Sequence, residues 1–189
     1  MRTRGGFTIV ELLIVIVVIA ILAVITVVSY NGISQRAHNT RTITAVRQLM
    51  TLTEAYRATY STEPYAPAAV TGLCATLDSR CTTNTGVINT RDNSVLMSEL
   101  SKIGSPPKDS GEATPTGLYG IQYIYLTAAA GTFNGGTSLV RLEYWLRGSG
   151  VNCGVQNVAS GASNVNPVVT STTGYTSSAN GITSCSVRL

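Results

Sequence analysis

A single carboxylate, Glu11, lies inside an otherwise uncharged segment that extends from residue 5 to residue 35. Placing a carboxylate near the membrane core costs roughly 2.5 to 3.5 kcal/mol, so such a side chain is expected to have a use. One use is to pair with a cation that neutralises it in a low-dielectric environment. The other interpretation is a simple membrane anchor, in which Glu11 lies at the headgroup level and reaches water.

The residues before Glu11 form a short basic leader. Arg2 and Arg4 are followed by two glycines and then by Phe7, after which the chain is apolar. A secretory signal has its small-residue cleavage site after the apolar region, and no convincing Ala-x-Ala site follows that region here. Processing is therefore expected before the apolar segment.

This N-terminus resembles that of the type IV pilin family. The resemblance implies that a prepilin peptidase cuts between Gly6 and Phe7 on the cytoplasmic face, and that the new amine of Phe7 is methylated. Glu11 would then be the fifth residue of the mature chain, where the family keeps its glutamate. The Phe7 amine of a neighbouring subunit is a natural partner for Glu11, and their pairing would fix the axial register of a filament. The resemblance is specific over about residues 4 to 35 and architectural beyond them.

Residues 7–28 form a run of 22 residues rich in Ile and Val, which is long enough to span a bilayer as a helix. Arg2 and Arg4 precede the run, and the nearest charge after it is Arg36. This distribution predicts a cytoplasmic N-terminus and an exported remainder. Together with the resemblance, it implies a leader at residues 1–6, a transmembrane or filament-core helix at residues 7–28, and an extracellular globular head at residues 29–189. The protein would lie in the membrane before assembly and at the cell surface afterwards.

Four cysteines follow the apolar segment, namely Cys74, Cys81, Cys153 and Cys185. An even number of cysteines in a small exported domain predicts two disulfides, for which three pairings are possible. Pairing Cys74 with Cys81 and Cys153 with Cys185 is favoured because each bond then closes a local loop. The first loop contains Leu77 and Asp78, and the second contains a Ser- and Thr-rich tail without charged residues.

No catalytic, metal or cofactor site is predicted. His38 is the only histidine, and no carboxylate or cysteine lies at metal-ligand spacing from it. The sequence has no glycine-rich phosphate loop, Gly-x-Ser-x-Gly elbow or Cys-x-x-Cys pair. The net charge is +4, and without Arg2 and Arg4 the chain has 11 basic and 9 acidic side chains with no basic cluster. DNA binding, which the resemblance leaves possible, therefore has no support in the sequence.

The helix is expected to continue well beyond the apolar run. Apolar residues recur at three- and four-residue steps, which predicts a half-buried helix face formed by Val46, Leu49, Leu52, Tyr56 and Tyr60. Glu54 precedes Arg57 by three residues, the spacing of an ion pair on a helix surface. Pro64 ends the helix near Ser61. Gly32 is the weak point of the roughly 50-residue helix, either as a bend or local melt or as a mere imperfection.

A short helix and two strands are predicted next. Asn93 or Ser94 caps the helix, which Gly104 ends. The strands cover Leu118–Thr127 and Ser138–Arg147, and glycines at positions 135 and 136 fit a hairpin turn between them.

The end of the chain adds one more predicted element. Ile182–Val187 is expected to form a short edge strand. Trp145 falls on the strand face that carries Arg141 and Glu143, and we favour packing over a contact role for it.

These elements predict an α+β protein. A long N-terminal helix, membrane-spanning and then amphipathic, would pack on a small antiparallel sheet. This arrangement resembles the pilin fold.

The resemblance implies a structural subunit of a type IV pilus, which polymerises through its N-terminal helix into a surface filament for adhesion, motility or DNA uptake. Its partners would be other copies of the chain, the prepilin peptidase and methyltransferase, the assembly platform with its ATPase, and the membrane. Two alternatives stay open. One is a minor pilin or a type II secretion pseudopilin, which would be present in few copies. The other is a single-pass anchored binding module that never polymerises and keeps its leader.

Overall fold

The structure is a computed structural model. It describes residues 6, 8–68, 71–82, 88–89, 92–108, 120–125, 140–155, 158–159, 175–177 and 181–189. The chain divides into two compact units, Met1–Ala37 and His38–Leu189. Each unit is described by itself below.

Helix α1 (Ile9–Tyr60) has 52 residues and runs through both units without a break. The backbone stays helical at Gly32, the predicted weak point. In the first unit the large apolar side chains from Ile9 to Ile25 are between 47% and 84% exposed. An apolar segment of this kind forms a helix because the helix satisfies every backbone hydrogen bond internally, which is a requirement in lipid.

The described part of the second unit contains the rest of α1, a short helix and eight strands. In chain order they are β1 (Thr71–Cys74), β2 (Cys81–Thr82), β3 (Ile88–Asn89), α2 (Ser94–Ser101), β4 (Ile121–Tyr125), β5 (Val140–Arg147), β6 (Val158–Ala159), β7 (Tyr175–Ser177) and β8 (Ile182–Arg188). The main sheet is antiparallel with the order β1-β4-β5-β8-β6, and β7 also pairs with β8. Strands β2 and β3 form a separate antiparallel pair. The predicted α+β class is confirmed, and the arrangement is consistent with a pilin fold.

The two strands predicted from alternation are present and pair antiparallel as β4 and β5. The predicted glycine turn between them lies outside the described residues. The strand predicted at Ile182–Val187 is present as β8, but the prediction that it lies at the edge of the sheet was wrong. Strand β8 pairs with β5 over seven residue pairs, and β6 and β7 pair with it as well. Strands β6 and β7 are only two and three residues long, which is too short for an alternating pattern to reveal them.

The core of the second unit lies between α1 and the sheet. Val46, Leu49 and Leu52 belong to one buried cluster with the inward side chains of the sheet and of α2, and Tyr56 is also buried. The prediction that Tyr60 is buried with them was wrong, because it is 45% exposed. Tyr60 lies in the last turn of α1 and packs on the ring of Tyr56, with the ring centroids 4.6 Å apart.

Strand β5 is buried on both faces. Its inward residues Val140, Leu142, Tyr144 and Leu146 are fully buried. Arg141, Glu143 and Trp145 lie on the other face and are each at most 8% exposed. Burial of Trp145 agrees with the packing role that the sequence favours.

The predicted ion pair between Glu54 and Arg57 does not form. The Arg57 Nε atom instead lies 2.8 Å from Oε2 of Glu63. The chain reverses at Ser61, which has a positive φ of 54°, and this turn brings Glu63 back to the last turn of the helix. A more favourable partner for Arg57 therefore comes from beyond the helix.

Candidate assembly site at the N-terminus

Glu11 lies in the first turn of α1, where its carboxylate is held by Thr8. The backbone N–H and the hydroxyl of Thr8 each donate to Oε2 of Glu11 at 2.9 Å, and the Glu11 N–H donates to the Thr8 hydroxyl at 3.2 Å. This reciprocal arrangement is a capping box, which satisfies N–H groups that have no partner within the helix. Glu11 therefore stabilises the N-terminal end of the helix through the capping box, in addition to providing a negative charge there.

Sequence reasoning missed the role of Thr8. The signal was present, because a Thr-x-x-Glu pattern directly before an apolar run is the pattern of a capping box. A negative side chain in the first helical turn also interacts favourably with the helix dipole. The position of Glu11 thus has an explanation within one chain, in addition to any pairing with a neighbour.

The helix that follows this site is apolar on all sides. Among the described residues, the window Ile9–Thr26 is long and apolar enough to cross a membrane, and none of it is buried within the structure. Its one hydroxyl, on Thr26, donates to the carbonyl of Ala23 at 2.8 Å and so remains satisfied without water. The surroundings suited to such a helix are lipid or other apolar helices.

The predicted cleavage site is only partly visible. Gly6 is described and is exposed, whereas Phe7 lies outside the described residues. Cleavage between Gly6 and Phe7, methylation of the Phe7 amine and pairing of that amine with Glu11 therefore remain predictions.

Comparison with known families identifies this region. Residues 1–27 match the family model described as the prokaryotic N-terminal methylation motif. The chain carries that motif. The match covers 27 of the 189 residues and includes Gly6, Phe7 and Glu11. No curated protein matches the chain, and no solved structure matches it.

The motif supports a type IV pilin-like or pseudopilin protein, in agreement with the resemblance drawn from the sequence. It implies processing by a prepilin peptidase and assembly into a pilus or pseudopilus. Proteins of this type are structural and are not normally enzymes. The apolar helix is consistent with membrane anchoring of a pilin.

In the second unit, Cys74 is bonded to Cys81 and Cys153 to Cys185. These are the two pairings that close the local loops. Cys153 is held further by the Tyr144 hydroxyl, which donates to its carbonyl at 2.8 Å. The next residue, Gly154, has a φ of +72°, and a Cβ atom there would lie 2.7 Å from the side chain of Ile43. Glycine is therefore required where the C-terminal region meets α1.

The loop closed by the first disulfide is fastened by Asn93. The Asn93 amide donates to the carbonyls of Cys74 at 2.9 Å and Thr76 at 2.8 Å, and it accepts a hydrogen bond from the Ser79 hydroxyl. Asn93 is the N-cap residue of α2, one of the two predicted alternatives, but its side chain makes no capping hydrogen bond. Asp92 instead accepts from the N–H of Ser94 at 2.8 Å, and this hydrogen bond lowers the pKa of the Asp92 carboxyl. Buried carbonyls need a hydrogen-bond donor from the protein, whereas water can reach the exposed end of a helix. The Asn93 amide therefore bonds to the carbonyls.

A second polar cluster joins α2 to the end of α1. The Tyr56 hydroxyl donates to Glu99, and Nζ of Lys102 lies 2.7 Å from both carboxylate oxygens of Glu99. The hydrogen bonds from Lys102 and Tyr56 lower the pKa of Glu99, and the bond to Glu99 raises the pKa of Tyr56 to about 12. The cluster holds the two helices together and stays satisfied at neutral pH.

Proposed function

We propose that the chain is a structural subunit of a type IV pilus-like filament and that it polymerises through its N-terminal helix. The observation that carries this proposal is the exposed apolar helix Ile9–Thr26, which lies within the matched methylation motif. A helix that is apolar on every side requires a partner surface, and a second copy of itself offers one of the same length and chemistry. Lateral packing of such helices builds a filament core.

Leader removal between Gly6 and Phe7 would place a new amine next to Thr8, at the N-terminal end of α1. The helix would wait in the membrane until an assembly platform and its ATPase extrude it. The Phe7 amine of one subunit would then meet the Glu11 carboxylate of its neighbour. This pairing neutralises both charges in a low-dielectric bundle and selects one axial register.

The capping box gives this pairing a starting geometry. Thr8 holds the Glu11 carboxylate at the N-terminal end of the helix, close in sequence to the proposed amine. The carboxylate therefore need not search among rotamers before it meets a neighbour, which lowers the entropy cost of association. In this proposal residues 7–28 form the filament core and residues 29–189 the exported head.

Glu11→Ala and Glu11→Gln test the proposal when each is expressed as a tagged copy beside the untagged wild-type chain. Both variants should enter sheared filaments at least about tenfold less than the tagged wild type. Glutamine can still accept hydrogen bonds from Thr8 but carries no charge, so it separates the capping role from the charge. Thr26→Val is the control, because it changes a polar side chain of the same helix whose hydroxyl bonds only within that helix.

Each outcome has a definite meaning. Normal entry of both Glu11 variants would contradict the account of the register. Normal entry of Glu11→Gln alone would show that capping, and not charge, is what assembly needs. Wild-type protein that keeps its leader and never enters filaments would favour the anchored binding module. A processed chain found only in trace amounts would indicate a minor pilin or pseudopilin.

A further inference from the structure

The loop between Cys74 and Cys81 is held by a disulfide and several hydrogen bonds, and it exposes a leucine. Leu77 is 49% exposed, although the turn that carries it is fastened on several sides. Its N–H donates to the carbonyl of Pro107 at 3.0 Å, and the N–H of Asp78 donates to the carbonyl of Lys108 at 3.1 Å. Together with the disulfide and Asn93, these bonds fix the turn before any contact is made. We call Leu77, Asp78 and Lys108 the knob.

The knob carries two opposite charges that form no ion pair with any residue the structure describes. The Asp78 carboxylate accepts from the hydroxyl of Thr76 and the N–H of Arg80, and no cation of the described part pairs with it. The Lys108 side chain is exposed and has no partner among the described residues. The N–H of Asp78 bonds to the carbonyl of Lys108, so the knob places an exposed leucine beside an anion and a cation.

An open groove of about 710 Å³ lies along α1 in the second unit. Its lining residues are Arg47, Met50, Thr51, Glu54, Asn152, Gly154 and Val155. Met50 and Val155 supply apolar surface. Because Arg47 and Glu54 are seven residues apart on one helix, they lie two turns apart on the same side, separated by about 10 Å.

The groove also carries two opposite charges that are not paired with each other. Arg47 donates to the carbonyl of Gly154, with a distance of 3.1 Å from its Nε atom, and forms no ion pair within the described residues. Glu54 is exposed and has no partner in the described part of the chain, since Arg57 pairs with Glu63. The groove therefore offers a cation, an apolar floor and an anion, which complements the anion, leucine and cation of the knob.

We infer that the knob of one copy docks into the groove of a second copy. Leu77 contacts Met50 and Val155, while Asp78 pairs with Arg47 and Lys108 pairs with Glu54. The occupant is a second copy because the complementary charges are on the same chain. Knob and groove use different residues, so the contact is heterologous and leaves a free knob and a free groove at the ends of any assembly. Such a contact can repeat from one copy to the next. Its occurrence within a filament rests on the proposed polymerisation.

Cross-linking in intact cells tests the docking directly. One tagged chain carries Leu77→Cys and a second, differently tagged chain carries Thr51→Cys in the groove. Oxidation should give a dimer that contains both tags, at least about tenfold above a control pair in which Val95→Cys replaces Leu77→Cys. Val95 is a matched control because it is exposed to a similar degree, 56%, and lies on α2. This assay needs no filament, so it separates the docking from the proposed function.

Charge reversal tests the pairing when it is measured in sheared filaments. Glu54→Lys and Lys108→Glu each place like charges together and should lower the filament yield about tenfold, whereas the double variant should return it to within about twofold of wild type. Filaments without a mixed-tag dimer, or a double variant as poor as the single variants, would overturn the docking. A mixed-tag dimer in a chain that makes no filaments would support the docking and would count against polymerisation.

Discussion

Arg141 and Glu143 form an ion pair on the face of β5 that points away from α1, with an N–O distance of 2.9 Å. Both side chains are largely buried. Burial raises the pKa of Glu143, and the charge of Arg141 opposes that rise. The carboxylate is therefore costly in the folded protein and depends on the guanidinium beside it.

Arg141→Met should lower the free energy of unfolding by about 3 kcal/mol at pH 7, because it leaves a buried carboxylate without its cation. The loss should be smaller at pH 4. Because the pKa of Glu143 is raised, the folded protein binds this proton more tightly than the unfolded chain does. Protonation of Glu143 therefore stabilises the folded protein at low pH, and this contribution disappears as the pH rises through the folded pKa. Unfolding of the full chain in detergent can be followed through the fluorescence of Trp145.

The matched control is Arg57→Met. Arg57 pairs with Glu63 in a setting that is about a quarter exposed, so its loss should cost about 1 kcal/mol or less. A loss for Arg141→Met that is no larger than the loss for Arg57→Met, or that is independent of pH, would contradict this account.

The residue-level predictions from sequence succeeded where spacing alone decides the environment. The inward residues of β5 follow from alternation, whereas the assembly role of Glu11 remains a prediction. The partners of polar side chains were harder to predict. Glu54 and Arg57 have the right spacing to pair, but a turn beyond the helix supplies Glu63, and Asn93 satisfies carbonyls that lie far away in sequence. Such contacts depend on the tertiary fold, which no local pattern contains.

Among the elements, α1 is fastened to the end of β5 by one buried side chain. The Asn39 amide donates to the carbonyl of Arg147 at 2.8 Å and accepts from the N–H of the same residue at 2.8 Å. The side chain thus pairs with the last residue of β5 as a neighbouring strand would. Because Asn39 is only 7% exposed, water cannot easily replace these two bonds.

Asn39→Ala should lower the free energy of unfolding by about 2 kcal/mol, since it leaves a backbone N–H and a carbonyl without partners. Thermal unfolding of the full chain in detergent, observed by near-ultraviolet circular dichroism, would measure the change. Thr44→Ala is the control, because Thr44 is exposed and its hydroxyl bonds to its own helix. Equal stability of the two variants would show that the Asn39 bonds contribute nothing.

The two disulfides should differ in their contribution. The Cys153–Cys185 bond closes a loop with a sequence separation of 32, against 7 for Cys74–Cys81. Replacing both cysteines of a disulfide by serine should therefore lower the free energy of unfolding. Loop-closure entropy predicts a loss of about 3.7 kcal/mol for the longer loop and about 2.5 kcal/mol for the shorter one. Denaturant unfolding of both double-serine variants measures the difference. A greater loss from the shorter loop would contradict the entropic explanation.

The sequence predicted the long elements better than the short ones. Helix α1 follows from a sustained apolar and then amphipathic pattern, and β4 and β5 follow from alternating or dense apolar residues. Strands β6 and β7 come from an uncharged Ser-, Thr- and Gly-rich region that has no periodicity to reveal strands. Their pairing with β8 places that strand inside the sheet, which no feature of residues 182–187 alone could indicate.

For the whole molecule, the two units have different properties. The first provides a helix that is apolar on every side and carries the processing motif, whereas the second has a buried core and two disulfides. Because the second unit has its own core, its folding does not require burial of the apolar helix in the first unit. That helix segment therefore remains available for assembly. This division of roles is what the proposed subunit of a filament requires.

Mass spectrometry of sheared filaments would establish whether the chain is a processed filament subunit, because it reads the N-terminal peptide and the relative abundance of the chain. If the proposed function is correct, the dominant filament protein begins at Phe7 and carries one additional methyl group. A chain that stays in the membrane fraction with Arg2 to Gly6 still attached, and that is missing from the filaments, would contradict it.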